Sequence, residues 1–134
     1  MTLKLIPKKL EGVDYMGLTH VPVTVSNIYT RDSFTASFLI DTGATDSMAP
    51  GLQLRRIGIE PVTKRFYELA NGQSQEFEIG EARLSFMDDS ILLRLLFGPD
   101  DSEPILGVFA LEAAGLVIDP TNQTVRRLTA LSLK

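Results

Sequence analysis

The chain contains no cysteine, so disulfides, thiolate zinc sites, iron–sulfur ligation and cysteine nucleophiles are all excluded. It has one histidine, His20. No His-rich metal site can be built within one chain, and a Ser-His-Asp triad would have to use His20. Long hydrophobic runs are also missing. The longest strongly apolar stretch, Ile91 to Phe97, is interrupted by Arg94 and falls far short of the roughly 20 residues a membrane span needs. The first ten residues carry Lys4, Lys8 and Lys9 among isolated apolar residues, with no continuous apolar core and no small-residue cleavage site, so they do not read as a signal peptide. A basic excess is lacking too. Thirteen Lys and Arg stand against 17 Asp and Glu, for a net charge of −4, which supplies no stripe for a phosphate backbone. Neither a membrane nor a nucleic acid is expected as a partner, and a cytoplasmic location is the default expectation. No repeat or low-complexity segment occurs.

What is present fits one ordinary domain: 134 residues, 44% hydrophobic and 22% charged, with 10 Gly and 7 Pro. Any catalysis is expected to run on the carboxylates. Residues 1–15, rich in Lys and Leu and broken by Pro7 and Gly12, read as an appended arm of open role, with Met16-Gly17 as a conceivable alternative start; the domain is expected over 16–134. From Leu18 onward the pattern is mostly β. Val21, Val23 and Val25 alternate with Pro22 and Thr24, which predicts a strand with one buried face, and Pro22 suggests an edge position. Phe34 to Ile40 forms a second strand, apolar on both faces at Phe38-Leu39-Ile40 and therefore central. Pro50 to Ile57 reads as a short helix stopped at Gly58. Strands over Lys64–Ala70 and Gln73–Ile79 flank Asn71-Gly72, a strong hairpin signal in which both turn residues would take positive φ. Ala82–Phe86 and Ile91–Phe97 read as two more strands around Met87-Asp88-Asp89-Ser90. Gly98 to Pro104 reads as an acidic loop and Val108 to Ala114 as a second helix capped by Gly115. A last hairpin joins Leu116–Asp119 to Thr124–Leu128, with Arg126-Arg127 as an ordinary exposed strand end. The expected architecture is a mostly-β domain, barrel-like or a folded-over sheet, with two short helices.

The chemistry is concentrated in Phe38-Leu39-Ile40-Asp41-Thr42-Gly43-Ala44-Thr45. A carboxylate ends a buried strand, a glycine lets the backbone turn sharply, and short hydroxyl side chains can fix the loop. One such Asp is not yet a catalyst. Two facing each other at about 3 Å cannot both ionise and hold one proton between them, so that one acts as base and the other as acid.

The Asp-Thr-Gly-Ala-Thr segment resembles the active-site loop of retropepsin-like aspartic proteases. Two further segments follow in the family's order: Glu68-Leu69-Ala70-Asn71-Gly72-Gln73 resembles the flap hairpin of bacterial and archaeal members, and Pro104-Ile105-Leu106-Gly107 before a short helix resembles the second signature. Leu116-Val117-Ile118-Asp119-Pro120 fits the strand after that helix, and the resemblance spans about residues 16–134. It implies a closed or folded-over β barrel acting as a homodimeric aspartic endopeptidase on extended peptides, without metal or organic cofactor. Asp41 would be catalytic. Thr42 would bond across the dimer within a loop completed by Gly43, Ala44 and Thr45, and Gly43 would lie beside the substrate backbone. Ala70, Asn71 and Gly72 would form the flap tip, and Gly107 would let the Ile105–Leu106 strand pack on the active-site loop. Leu39 and Ile105 are candidates for apolar lining. The chain holds no second Asp-Thr-Gly, so two chains would each supply one Asp41, with Thr124–Lys134 and the arm as candidates for a dimer sheet. Viral members usually pair an Asp after the Asp-Thr-Gly-Ala with an Arg after the second-signature glycine; those positions here are Thr45 and Val108, so both partners are absent together.

Other readings of the same residues stay open at this level. Asp41 could be a plain strand-end turn residue, or belong to a phosphate-binding loop of the actin type, although the further phosphate loops of that fold are missing. A retropepsin fold could also serve as a catalytically silent dimerisation or peptide-binding module, or its paired carboxylates could bind a cation. His20 reads as a solvent-facing strand residue, and Asp88-Asp89 and Asp100-Asp101 as solvated loops.

Overall fold

The structure is a computed structural model that describes residues 20–119 and 124–128. The arm over 1–15, the boundary at residue 16, the turn at 120–123 and residues 129–134 lie outside the described residues. Among those described, the elements run β1 (His20–Ser26), β2 (Ser33–Ile40), β3 (Ser47–Pro50), α1 (Gly51–Arg56), β4 (Thr63–Glu68), β5 (Ser74–Phe86), β6 (Asp89–Gly98), β7 (Ile105–Leu106), α2 (Val108–Ala113), β8 (Leu116–Asp119) and β9 (Thr124–Arg127). The domain is mostly β with two short helices.

The alternation in β1 does what its period dictates: Val21, Val23 and Val25 are buried and Pro22 is exposed. β1 pairs antiparallel with β2 along its whole length, whereas its second edge meets β5 only at Thr24–Ser26. Pro22 thus sits where the second edge is unpaired and its missing N–H costs nothing. Successive pairings run β1-β2-β7-β3-β6-β5, and the β5–β1 contact closes them into a ring that is not a regular barrel. β7 lies parallel to β2 and antiparallel to β3, and β3 lies parallel to β6. Val23, Val25, Phe38, Ile40, Leu84 and Leu106 fill the interior. β4 pairs with the first half of β5 outside the ring, and β8 and β9 form a separate antiparallel pair.

Several details differ from the expectations. The runs Gln73–Ile79 and Ala82–Phe86 are one strand, Ser74–Phe86. Gly80 does not interrupt it; a Cβ there would come within 2.8 Å of the Phe97 ring and 2.9 Å of Ile59, so the glycine serves close packing rather than a turn. The β4–β5 hairpin is present, but Asn71-Gly72 is not its central pair. The Gly72 N–H donates to the Leu69 carbonyl at 2.9 Å, which makes Ala70-Asn71 the central residues. Gly72 alone takes positive φ, +83°, the three-residue hairpin with a glycine bulge. The two-residue turn with both φ values positive is at Met87-Asp88 instead (51° and 63°), between Phe86 and its partner Asp89. A connection is expected over 87–90, but no glycine marks the type of turn. Pro50 ends β3 and caps α1 rather than entering it, and the Leu52 N–H is met by the Asp100 carboxylate at 3.0 Å, so Asp100 is a helix cap and not merely a solvated loop residue. Arg127 is not an exposed strand end. It is 5% exposed, and its guanidinium donates to the carbonyls of Ala114 and Met87, tying β9 to the end of α2 and to the β5–β6 turn.

Candidate active site

Asp41 stands immediately beyond β2, where the strand's register with β7 has just ended. Its N–H donates to the Leu106 carbonyl at 3.0 Å, so the ladder that pairs Leu39 with Ile105 and Ile40 with Leu106 also fixes the start of the loop. The chain then turns back on itself: the Gly43 N–H donates to the Asp41 Oδ1 at 2.9 Å and the Ala44 N–H to the Asp41 carbonyl at 3.2 Å. The carboxylate is therefore oriented by its own loop. A Cβ on Gly43 would stand 3.2 Å from that same oxygen, tight enough to press on it.

The second-signature segment supports the loop from behind. Val108 and Phe109 donate their N–H groups to the carbonyls of Ala44 (2.9 Å) and Thr45 (3.1 Å) at the start of α2. Gly107 lies against the chain at Thr45 and Asp46, where a Cβ would come within 2.6 Å of the Asp46 carbonyl oxygen. The Gly107 N–H is taken by the hydroxyl of Ser47, which is wholly buried. Backbone bonds thus tie the loop after Asp41 to the segment after Gly107.

A charged pair does exist, one residue further on. Asp46 is buried, and its carboxylate receives Arg94 Nε at 3.2 Å and the Arg94 terminal nitrogen at 3.4 Å. The Tyr67 hydroxyl, from β4, donates to the Asp46 Oδ2 at 2.7 Å. Desolvation first, then the hydrogen bond to Asp46 and its charge, raise the Tyr67 phenol above its ordinary 10.0, so it stays protonated and donating through the neutral range. The bond to Asp46 likewise raises the Arg94 guanidinium.

Asp41, Gly43, Ala44, Thr45, Ala70 and Ile105 share the wall of one cleft of about 410 Å³, which Asp46, Met48, Tyr67 and Phe77 extend. Thr42 is half-buried in the loop, while Asn71 and Gly72 are exposed at the hairpin tip. Leu106 and Gly107 are buried behind the cleft, and Leu39 is not part of its wall. Sequence reasoning passed over Asp46, Ser47 and Tyr67. The available signal was Arg94, a cation inside the most apolar strand.

Compared with known proteins, the sequence matches no family model and no curated protein. Among solved structures it is similar to the protease of simian foamy virus (mac), determined in solution, with a TM-score of 0.51 and 13% identity over 69% of this chain and 91% of that one. The chain has a retropepsin-like fold.

Proposed function

We propose that the chain is one half of an aspartic endopeptidase, with its active site on the two-fold axis of a homodimer and one Asp41 from each copy. The observation that supports this most directly is the Asp41 carboxylate, held by the Gly43 N–H at the mouth of a cleft that a β hairpin covers, in a retropepsin-like fold. Two such carboxylates face to face share one proton. The ionised one removes a proton from a water, whose oxygen attacks the peptide carbonyl carbon, while the protonated one gives its proton to the carbonyl oxygen. The tetrahedral intermediate then collapses, and the departing nitrogen takes back a proton as the C–N bond breaks. Thr42 would bond across the axis, and the tip at Ala70, Asn71 and Gly72 would close over an extended peptide. The flap sequence favours the bacterial and archaeal branch, although the structural similarity is to a viral protein.

Asp41→Asn is isosteric and keeps an oxygen for the Gly43 N–H. It is expected to abolish cleavage of a diverse peptide library between about pH 3 and pH 7 while the fold survives, and the wild type should show a bell-shaped profile. Turnover retained in Asp41→Asn would refute the assignment. No cleavage by a verified wild-type dimer would point instead to a silent binding module of the same fold.

A further inference from the structure

The β4–β5 hairpin is little buried, and its side chains meet the body at an exposed ion pair near its root, Arg55 on α1 with Glu78 at 2.6 Å, and at Tyr67 nearer the tip. Five of the six residues of β4 are exposed, and Tyr67 alone is half-buried. Ser74, Gln75 and Glu76 on the facing strand are exposed as well. Tyr67 packs edge-on against Phe77 across the hairpin, with ring centroids 5.9 Å apart, so the two rings move with the hairpin as a unit. What joins that unit to the body beside Asp41 is the 2.7 Å bond from the Tyr67 hydroxyl to Asp46, the residue that follows the active-site loop.

The acceptor is built to tolerate the loss of this donor. Asp46 has a side chain only 5% exposed and receives two further bonds from Arg94 on β6, which is not part of the hairpin. Its charge is neutralised and its position fixed from β6, a strand of the ring, while the Tyr67 hydroxyl can leave for water at the cleft. A bond whose acceptor stays put and whose donor can be resolvated is reversible, and its strength is that of a hydrogen bond to a charged group.

We propose that Tyr67 is a positioning residue, and that its hydroxyl on Asp46 latches the hairpin over the cleft of its own chain. Peptide entry breaks this bond and closure on the peptide remakes it. This rests on reading the cleft as a peptide site. The latch holds the hairpin closed in the free chain, in the complex and in the transition state alike, so its loss raises the open population while largely cancelling from KM and kcat.

Because the chain has no native cysteine, introduced ones take spin labels without interference. Asn71→Cys at the hairpin tip and Arg56→Cys at the end of α1 place one label on each side of the latch. Diluting with unlabelled protein restricts the measurement to distances within one chain. Tyr67→Phe keeps the ring and removes only the hydroxyl. In the tip-to-body distances by pulsed electron resonance it is expected to raise the open population about tenfold. In peptide cleavage KM and kcat should change far less than this, because the same bond is lost from the free chain and from the complex. A distance distribution identical to that of the Tyr67 parent would overturn the latch, even if the melting temperature falls, since a purely structural contact would show only that fall. If the distances shift while the wild type cleaves no peptide, the latch stands and the endopeptidase reading fails. If the wild type cleaves while the distances are unmoved, the endopeptidase stands and the latch fails.

Discussion

Gly72 occupies the left-handed region at φ +83° with nothing within 4 Å of where a Cβ would sit. Any effect of a side chain there is therefore a backbone effect, not a clash. Gly72→Ala should cost about 1 kcal/mol, the penalty of an L residue in that region, read as a lower denaturant midpoint; a loss well above this would mean that the tip packs on something. Asp46 presents the opposite case, a residue governed entirely by its neighbours. Burial would make its charge expensive, and two bonds from Arg94 and one from Tyr67 offset that cost. Nothing in the run Thr45-Asp46-Ser47 distinguishes such a residue from a solvated loop aspartate.

At the scale of elements, the site is where two short segments from distant parts of the chain support each other. β7 is two residues long, yet it pairs with β2 on one side and β3 on the other, and the segment that follows it holds the loop after Asp41. The Ser47 hydroxyl closes this arrangement by accepting the Gly107 N–H at 2.9 Å in a fully buried position. Ser47→Ala would leave that N–H without an acceptor and is expected to destabilise the domain by roughly 1–3 kcal/mol. Denaturant unfolding should show a lower midpoint at unchanged slope; an unchanged midpoint would mean that another group takes the bond. The spacing of Asp41 and Gly107 in sequence hinted at the partnership, but β3 itself was not foreseen. Four residues ending in a proline carry no strand signal, and β3 exists because the unpaired edges of β6 and β7 flank it.

At the scale of the whole molecule, one chain supplies one Asp41, one hairpin and one cleft, and the proposed chemistry needs two carboxylates. The rate per chain should therefore fall on dilution, in step with the loss of dimer seen by sedimentation. A monomer that remains active at every accessible concentration would exclude the shared site. The described residues include no helix long and apolar enough to cross a membrane.

The division between sequence and tertiary structure follows the range of the forces involved. Period-2 alternation placed β1 and β2, breakers at Gly58 and Gly115 ended the two helices, and the ordered segments at Asp41, Asn71 and Gly107 pointed to a retropepsin-like fold before any contact was known. Each of these is written in a few adjacent residues, because strand pleat, turn sterics and helix caps act locally. Only the folded chain decided the rest: that one strand spans residues 74–86, that Met87-Asp88 and not Asn71-Gly72 forms the tight turn with both φ values positive, that Arg127 is buried, and that Asp46, Tyr67 and Arg94 meet. These depend on pairings between residues up to 48 positions apart. Burial and opposite charge reward such pairings only once the ring has closed, and no local pattern encodes them.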